Sequence, residues 1–158
     1  MLNVVLVHPE IPPNTGNIGR LCCAVHAKLH LVKPLGFNLD DRSLKRAGLD
    51  YWDKLDLVIW DDLEGYLMSA NADRMVLTSS KSGKSYDRVN YRSDDHLVFG
   101  AETTGLPKEI FKRFPTRIAR IPVHLDKVRS LNLSTAVGIV VYEALRQTGS
   151  LPGEPAML

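Results

Sequence analysis

The chain has 158 residues, 44% of them hydrophobic and 24% charged, with a formal net charge of +2. That length fits one domain with a real core, and the composition is that of an ordinary soluble globular protein. Near-neutrality excludes a strongly basic nucleic-acid binder, and no apolar run reaches membrane-spanning length.

In chain order, short apolar runs suited to buried strands occur at 2–7, 29–33, 57–60, 75–78, 97–100 and 118–121. Helical patterns fall between them at about 16–27, 40–47 and 62–71, and another begins near Pro107, a residue that suits a first helical turn. The alternation predicts an α/β fold, a mostly parallel sheet with helices on both faces. Residues 1–158 read as one domain, and the Gly- and Pro-bearing stretch from about 149 to 158 reads as a loose tail. Cys22 and Cys23 are adjacent inside a helical pattern, which suits buried small side chains better than a disulfide or a metal site. MLNVVLVHPE lacks a signal-peptide pattern, so a cytoplasmic protein is expected.

The last helix is the plainest. Leu133, Ala136, Val137, Val140, Val141, Ala144 and Leu145 recur at the three-four step of one face, and Ile139 and Tyr142 add apolar surface on another side. Such a helix is either central to its own core or also faces a partner. Gly138 lowers helix propensity, which fits close approach of another backbone. The polar lead-in, PVHLDKVRSLN, is either an ordinary cap or a ligand loop.

Ligands of parallel sheets gather at the carboxyl ends of the strands. Three loops there are specialised: HPEIPPNTGNIGR after the first strand, GAETTGLPKE after the fifth, and the lead-in itself. Common motifs fail. SKSGKS ends like a phosphate-binding P-loop, but Thr78 stands where the first glycine is required. GxGxxG, HExxH and GxSxG are absent, and histidines 8, 26, 30, 96 and 124 are scattered, so no metal is expected. Charge is uneven: residues 1–78 carry 8 Lys and Arg against 10 Asp and Glu, and residues 79–158 carry 12 against 8. The second half thus has room for a phosphate-binding face or simply a solvated one.

NTGNIGR, LVFGAETTGLP and IPVHLDKVRSLNLSTAVGIVVYEALRQ together resemble the three motifs of the SPOUT superfamily of RNA methyltransferases. PEIPPNTGNIGRLC, PLGF, RAGLDYW and SLNLS are more similar still to the small tRNA 2′-O-methyltransferases that modify the wobble nucleotide. The resemblance covers nearly the whole chain. It implies a deep C-terminal trefoil knot, a feature that general topology rules would not predict. It also implies S-adenosylmethionine as cofactor, the anticodon stem-loop of tRNA as substrate and a homodimer built on the first and last helices. Position 34, cytidine or uridine, is the implied target; ribosomal RNA methylation and a non-catalytic RNA-binding module are the alternatives.

By that resemblance the cofactor site comprises Leu77, Thr78, Gly100, Ile121, Ser130, Leu131 and Asn132. Leu77, Ile121 and Leu131 would line an adenine slot, Gly100 would leave room for the cofactor, and Ser130 and Asn132 would offer hydrogen bonds. Asn14, Asn17 and Glu102 would brace the loops. Arg20, last in the first motif, is the expected catalytic residue. A guanidinium is an awkward general base, so its expected role is to orient ribose and phosphate and to stabilise charge on the 2′-oxygen. The chain carries no appended RNA-binding domain, so Arg129, Lys127, Arg88 and Arg92 are the expected phosphate contacts.

Overall fold

The computed structural model describes residues 1–40, 42, 44, 51–124 and 126–153. Its strands are β1 (Asn3–Val7), β2 (Lys28–Val32), β3 (Leu57–Trp60), β4 (Met75–Thr78), β5 (Lys84–Ser85), β6 (His96–Phe99) and β7 (Ile118–Arg120). They form one sheet in the order β3-β2-β1-β6-β4-β7-β5, and every pairing is parallel. A parallel sheet buries both faces, so its central strands must be apolar throughout, as NVVLV, MVLT and HLVF nearly are. Among the described residues the helices covering the faces are α1 (Pro12–Ala24), α2 (Leu63–Ser69), α3 (Lys108–Arg113) and α4 (Leu133–Gln147). Val4, Leu6, Leu29, Leu31, Val76, Leu97 and Phe99 pack with Ile18 and Cys22 of α1 and with Val137, Val140, Val141 and Ala144 of α4. Val5, Val7, Val32, Leu77 and Val98 pack on the other face with Tyr66 and Leu67 of α2 and Ile110 of α3.

The chain runs outward from β1 through β2 to β3, then crosses to β4 on the far side of β6. That reversal opens a crevice beyond the strand ends, where α/β sheets take ligands. Two elements depart from expectation. The first helix runs Pro12–Ala24, starting four residues before the expected Gly16 and ending three before the expected Ala27, so Asn14 and Thr15 are helical rather than loop. Pro12 and Pro13 lack the N–H groups that a first turn leaves unpaired anyway, and their fixed φ favours helix. Strand β5 carries no apolar alternation, because it is a two-residue edge strand, and the sequence pattern missed it. Most of the helix expected at 40–47, and residues 154–158 of the expected tail, lie outside the described residues.

Helix α4 has the expected bounds. Its Asn132 N-cap side chain accepts from the N–H groups of Ser134 and Thr135. Val137, Val140, Val141, Ala144 and Leu145 are buried, while Tyr142 is 46% exposed. No described residue lies within 4 Å of a Cβ placed on Gly138, so none of them makes the close approach expected there. Among the described residues no helix is long and apolar enough to cross a membrane.

On the α2 face, His30 and His96 are held in a polar knot under the sheet, their ring centroids 5.5 Å apart. The Trp60 indole can only donate, so His30 Nδ1 accepts from it at 3.1 Å and His30 Nε2 donates to Asn3 Oδ1 at 3.1 Å. Tyr66 Oη and His96 Nδ1 are paired at 3.0 Å. Burial and the neighbouring His96 push the His30 pKa down from 6.5 to about 4, and burial lowers that of His96 as well.

Candidate functional site

A cleft of about 830 Å³ opens at the carboxyl ends of β6, β4 and β7. That volume suits a nucleoside-sized ligand. One wall is apolar, made by Phe99, Ala119, Ile121, Leu131, Leu133 and Val140; the rest is polar loop.

The three loops expected to form a site do meet here, tied by one run of hydrogen bonds. Glu102, after β6, accepts from the backbone N–H of Glu10 at 2.7 Å and of Ile11 at 3.0 Å, just before α1. Its carboxylate also accepts from Asn14 Nδ2 at 3.3 Å. Asn14 Oδ1 in turn accepts from Asn132 Nδ2 at 3.0 Å, and Asn132 Oδ1 caps α4. Thr103 Oγ1 donates to the Glu10 carboxylate at 2.7 Å, closing the contact between the first two loops. Helix α1 has no cap from its own Ile11 side chain; the distant Glu102 carboxylate anchors the entry instead.

Thr78, Gly100, Ile121, Ser130, Leu131 and Asn132 all line the cleft, as does Arg129. Three details of placement stand out. The Leu77 side chain is fully buried in the core on the α2 and α3 face and does not line the cleft. The side-chain oxygen of Asn132 is committed to the cap and one amide hydrogen to Asn14, so its main work is bracing. Gly100 is required by its own loop: a Cβ there would stand 2.0 Å from the carbonyl carbon of Gly105 and 2.1 Å from the nitrogen of Leu106. The loop folds back on itself at this point, with Gly105 N–H donating to Ala101 O at 2.8 Å.

Asn17 and Arg20 are exposed on α1 and lie outside the cleft lining. Of the remaining phosphate candidates, Lys127 is two residues from Arg129 and pairs with Asp126 at 3.6 Å. Arg92 is not brought to the cleft; with Lys84 and Arg117 it lines a second hollow of about 190 Å³. Arg88 ends a 3-10 turn at the sheet edge, near the last turn of α4, where Gln147 Nε2 reaches Asp87 O. Ser79, Ser80 and Lys81 after β4, and Lys108 at the start of α3, also line the cleft, although the sequence assigned them no site role. Lys81 and Lys108 belong to the basic excess of the second half. Among the described residues no group of three or more His, Cys, Asp or Glu is placed to hold a metal ion.

Residues 1–142 match the model of the SpoU rRNA methylase family. The chain belongs to the SpoU methylase family. A tRNA (cytidine(34)-2′-O)-methyltransferase of Yersinia pestis is 48% identical over 155 residues, covering 94% of this chain and 95% of its own length. The protein of that name from Escherichia coli K12 is 46% identical over 150 residues, again covering 94% and 95%. Among solved structures, one described as giving insights into the 2-OH methylation of C/U34 on tRNA superposes with a TM-score of 0.87 at 44% identity, over 93% of this chain and 95% of that one. An AdoMet-bound rRNA methyltransferase of Sinorhizobium meliloti gives 0.82 at 27% identity, over 92% of this chain and 56% of that one. The SpoU fold, with its parallel sheet and helices on both faces, is therefore established for this chain.

Proposed function

We propose that this SpoU methylase-family chain transfers a methyl group from S-adenosylmethionine to the ribose 2′-hydroxyl of the wobble nucleotide, cytidine or uridine 34, of cytoplasmic tRNA. The observation that carries this is the near-full-length match to tRNA (cytidine(34)-2′-O)-methyltransferases, at 48% identity, in a chain whose three motif loops close on one cleft.

The cleft fits the cofactor in kind. Ile121, Leu131 and Leu133 supply an apolar wall for a purine, while Thr78, Gly100 and Ser130 present polar backbone or hydroxyl groups beside it. The bound cofactor supplies a methyl group on a sulfonium, an electrophile reactive without further activation. What the protein must add is placement of the ribose oxygen in line with that methyl, and stabilisation of charge on the oxygen. Arg20 is the group proposed for that task. It is exposed and outside the lining of its own cleft, so it is free to meet a nucleotide that crosses the mouth. Arg129 lines the cleft and, with the nearby exposed Lys127, is read as a phosphate contact; Arg88 and Arg92, on other parts of the surface, would serve a longer RNA footprint.

The assembly is proposed to be a homodimer through α1 and α4, which pack side by side. Support comes from exposed Tyr142 and the open space over Gly138 on α4, and from the exposed α1 stripe of Pro13, Asn17 and Arg20. The family knot is proposed for the segment after β7, which runs beside the ends of β4 and β6 before entering α4. Incubation with methyl-labelled S-adenosylmethionine and separated tRNA and ribosomal RNA tests the reading. Label is expected in tRNA; label only in ribosomal RNA, or in neither, contradicts it.

A further inference from the structure

Three cations stand around the mouth of the cleft, each from a different loop: Lys81 after β4, Lys108 after β6 and Arg129 after β7. These three strands are neighbours in the sheet, so the charges are carried on adjacent strand ends. All three residues are exposed, and none makes an ion pair or a side-chain hydrogen bond with any described residue. Several other cations differ: Lys28, Lys33, Arg113, Arg117 and Arg146 each have a carboxylate partner. Glu102 is the one carboxylate in the described lining, and three N–H groups of the α1 entry already occupy it.

The backbones under these side chains are fixed. Ser79 Oγ accepts from the N–H of Lys81 at 3.1 Å and of Ser82 at 3.2 Å, which holds the loop after β4. Lys108 follows Pro107 and the Ala101–Gly105 bridge. Uncompensated like charges around one opening repel one another and attract a polyanion. A sulfonium cofactor is itself cationic, so such a ring does not favour its reacting end. A nucleic-acid backbone, with successive phosphates, matches it.

We propose that Lys81 and Lys108, together with Arg129, form a phosphate clamp that seats the RNA backbone over the cleft next to the target ribose. This rests on the proposed RNA methylation and adds two binding residues to it. Lys81 and Lys108 would contact phosphate, not base, so they would fix register without reading sequence.

The test is a salt titration of tRNA binding by anisotropy for wild type, Lys81→Ala, Lys108→Ala and the double variant, with calorimetry of S-adenosylhomocysteine on each. Each single loss should weaken tRNA binding several-fold and lower the salt slope by about one unit. The KM for tRNA should rise with little change in kcat, cofactor affinity should hold, and Lys→Arg at either position should restore binding. An unchanged salt slope in the double variant would overturn the clamp, even if wild type methylates tRNA normally. Lost cofactor affinity with unchanged tRNA binding would also overturn it, by giving the charges to the cofactor. Wild type that binds tRNA but methylates none would instead refute the proposed activity.

Discussion

At the residue scale Glu102 holds the site together, and Arg20 is the residue proposed to act in it. Glu102 takes two backbone N–H groups and one amide from the α1 entry. Glu102→Ala would leave those donors without their acceptor, so unfolding stability should fall by about 2 kcal/mol in urea titrations. S-adenosylhomocysteine affinity should fall with it, because the loop after β6 is part of the cleft. Unchanged stability would show that water replaces the carboxylate freely. Arg20 should behave in the opposite way. It lies outside the cleft lining, so Arg20→Ala should leave cofactor affinity nearly intact. Single-turnover methylation should slow on the order of a hundred- to a thousandfold, the usual cost of one preorganised stabilising group. Arg20→Lys should recover little, since an ammonium lacks the planar fork. A near-wild-type rate for Arg20→Ala would remove it from the chemistry.

At the scale of elements, Gly100 is the most sensitive joint. A methyl group there would overlap the backbone at Gly105 and Leu106, so the β6 loop cannot close as it does. Gly100→Ala should lose cofactor binding in calorimetry, with a lowered melting temperature; full binding would mean that the loop re-forms at no cost. The strands and α4 were legible because a parallel sheet imposes long apolar runs and a buried helix imposes its three-four step. The start of α1 was not, because Pro and Gly signal loops locally while the first turn of a helix also accepts proline. The segment around 80–95 gave no pattern because its buried members, Val89, Tyr91 and Asp95, are isolated. They are fixed by distant partners: Gln147 accepts from the Tyr91 N–H, and Asp95 receives Arg117. For the cofactor loops, motif order placed six of the seven expected residues in the cleft. The Leu77 side chain points into the core instead, because side chains alternate along a strand and its neighbour Thr78 is the one at the cleft.

At the scale of the whole molecule, stability and assembly both have measurable signatures. His30 accepts from Trp60 and is held neutral, with its pKa lowered to about 4, whereas the unfolded chain takes up a proton near 6.5. The unfolded state therefore binds more protons below pH 6.5, and stability present above that value is lost as pH falls toward 4. The loss between pH 7 and pH 5 should be about 2 kcal/mol from His30, in the direction that His96 reinforces. Urea midpoints at the two pH values check it, and His30→Gln should flatten the difference. For assembly, sedimentation at micromolar concentration should give twice the chain mass. Gly138→Leu should leave the protomer folded, since no described residue stands within 4 Å of a Cβ there, while weakening the proposed dimer. An active, well-folded monomer of the wild type would refute the proposed interface.

The central claim concerns where the methyl group goes, and nucleotide mapping decides it. After reaction with S-adenosylmethionine, total tRNA is digested and its fragments are sequenced by mass spectrometry. The account predicts one added methyl on the ribose of cytidine or uridine 34. A methyl on a base, or on a ribose elsewhere in the tRNA with nucleotide 34 unmodified, would contradict it.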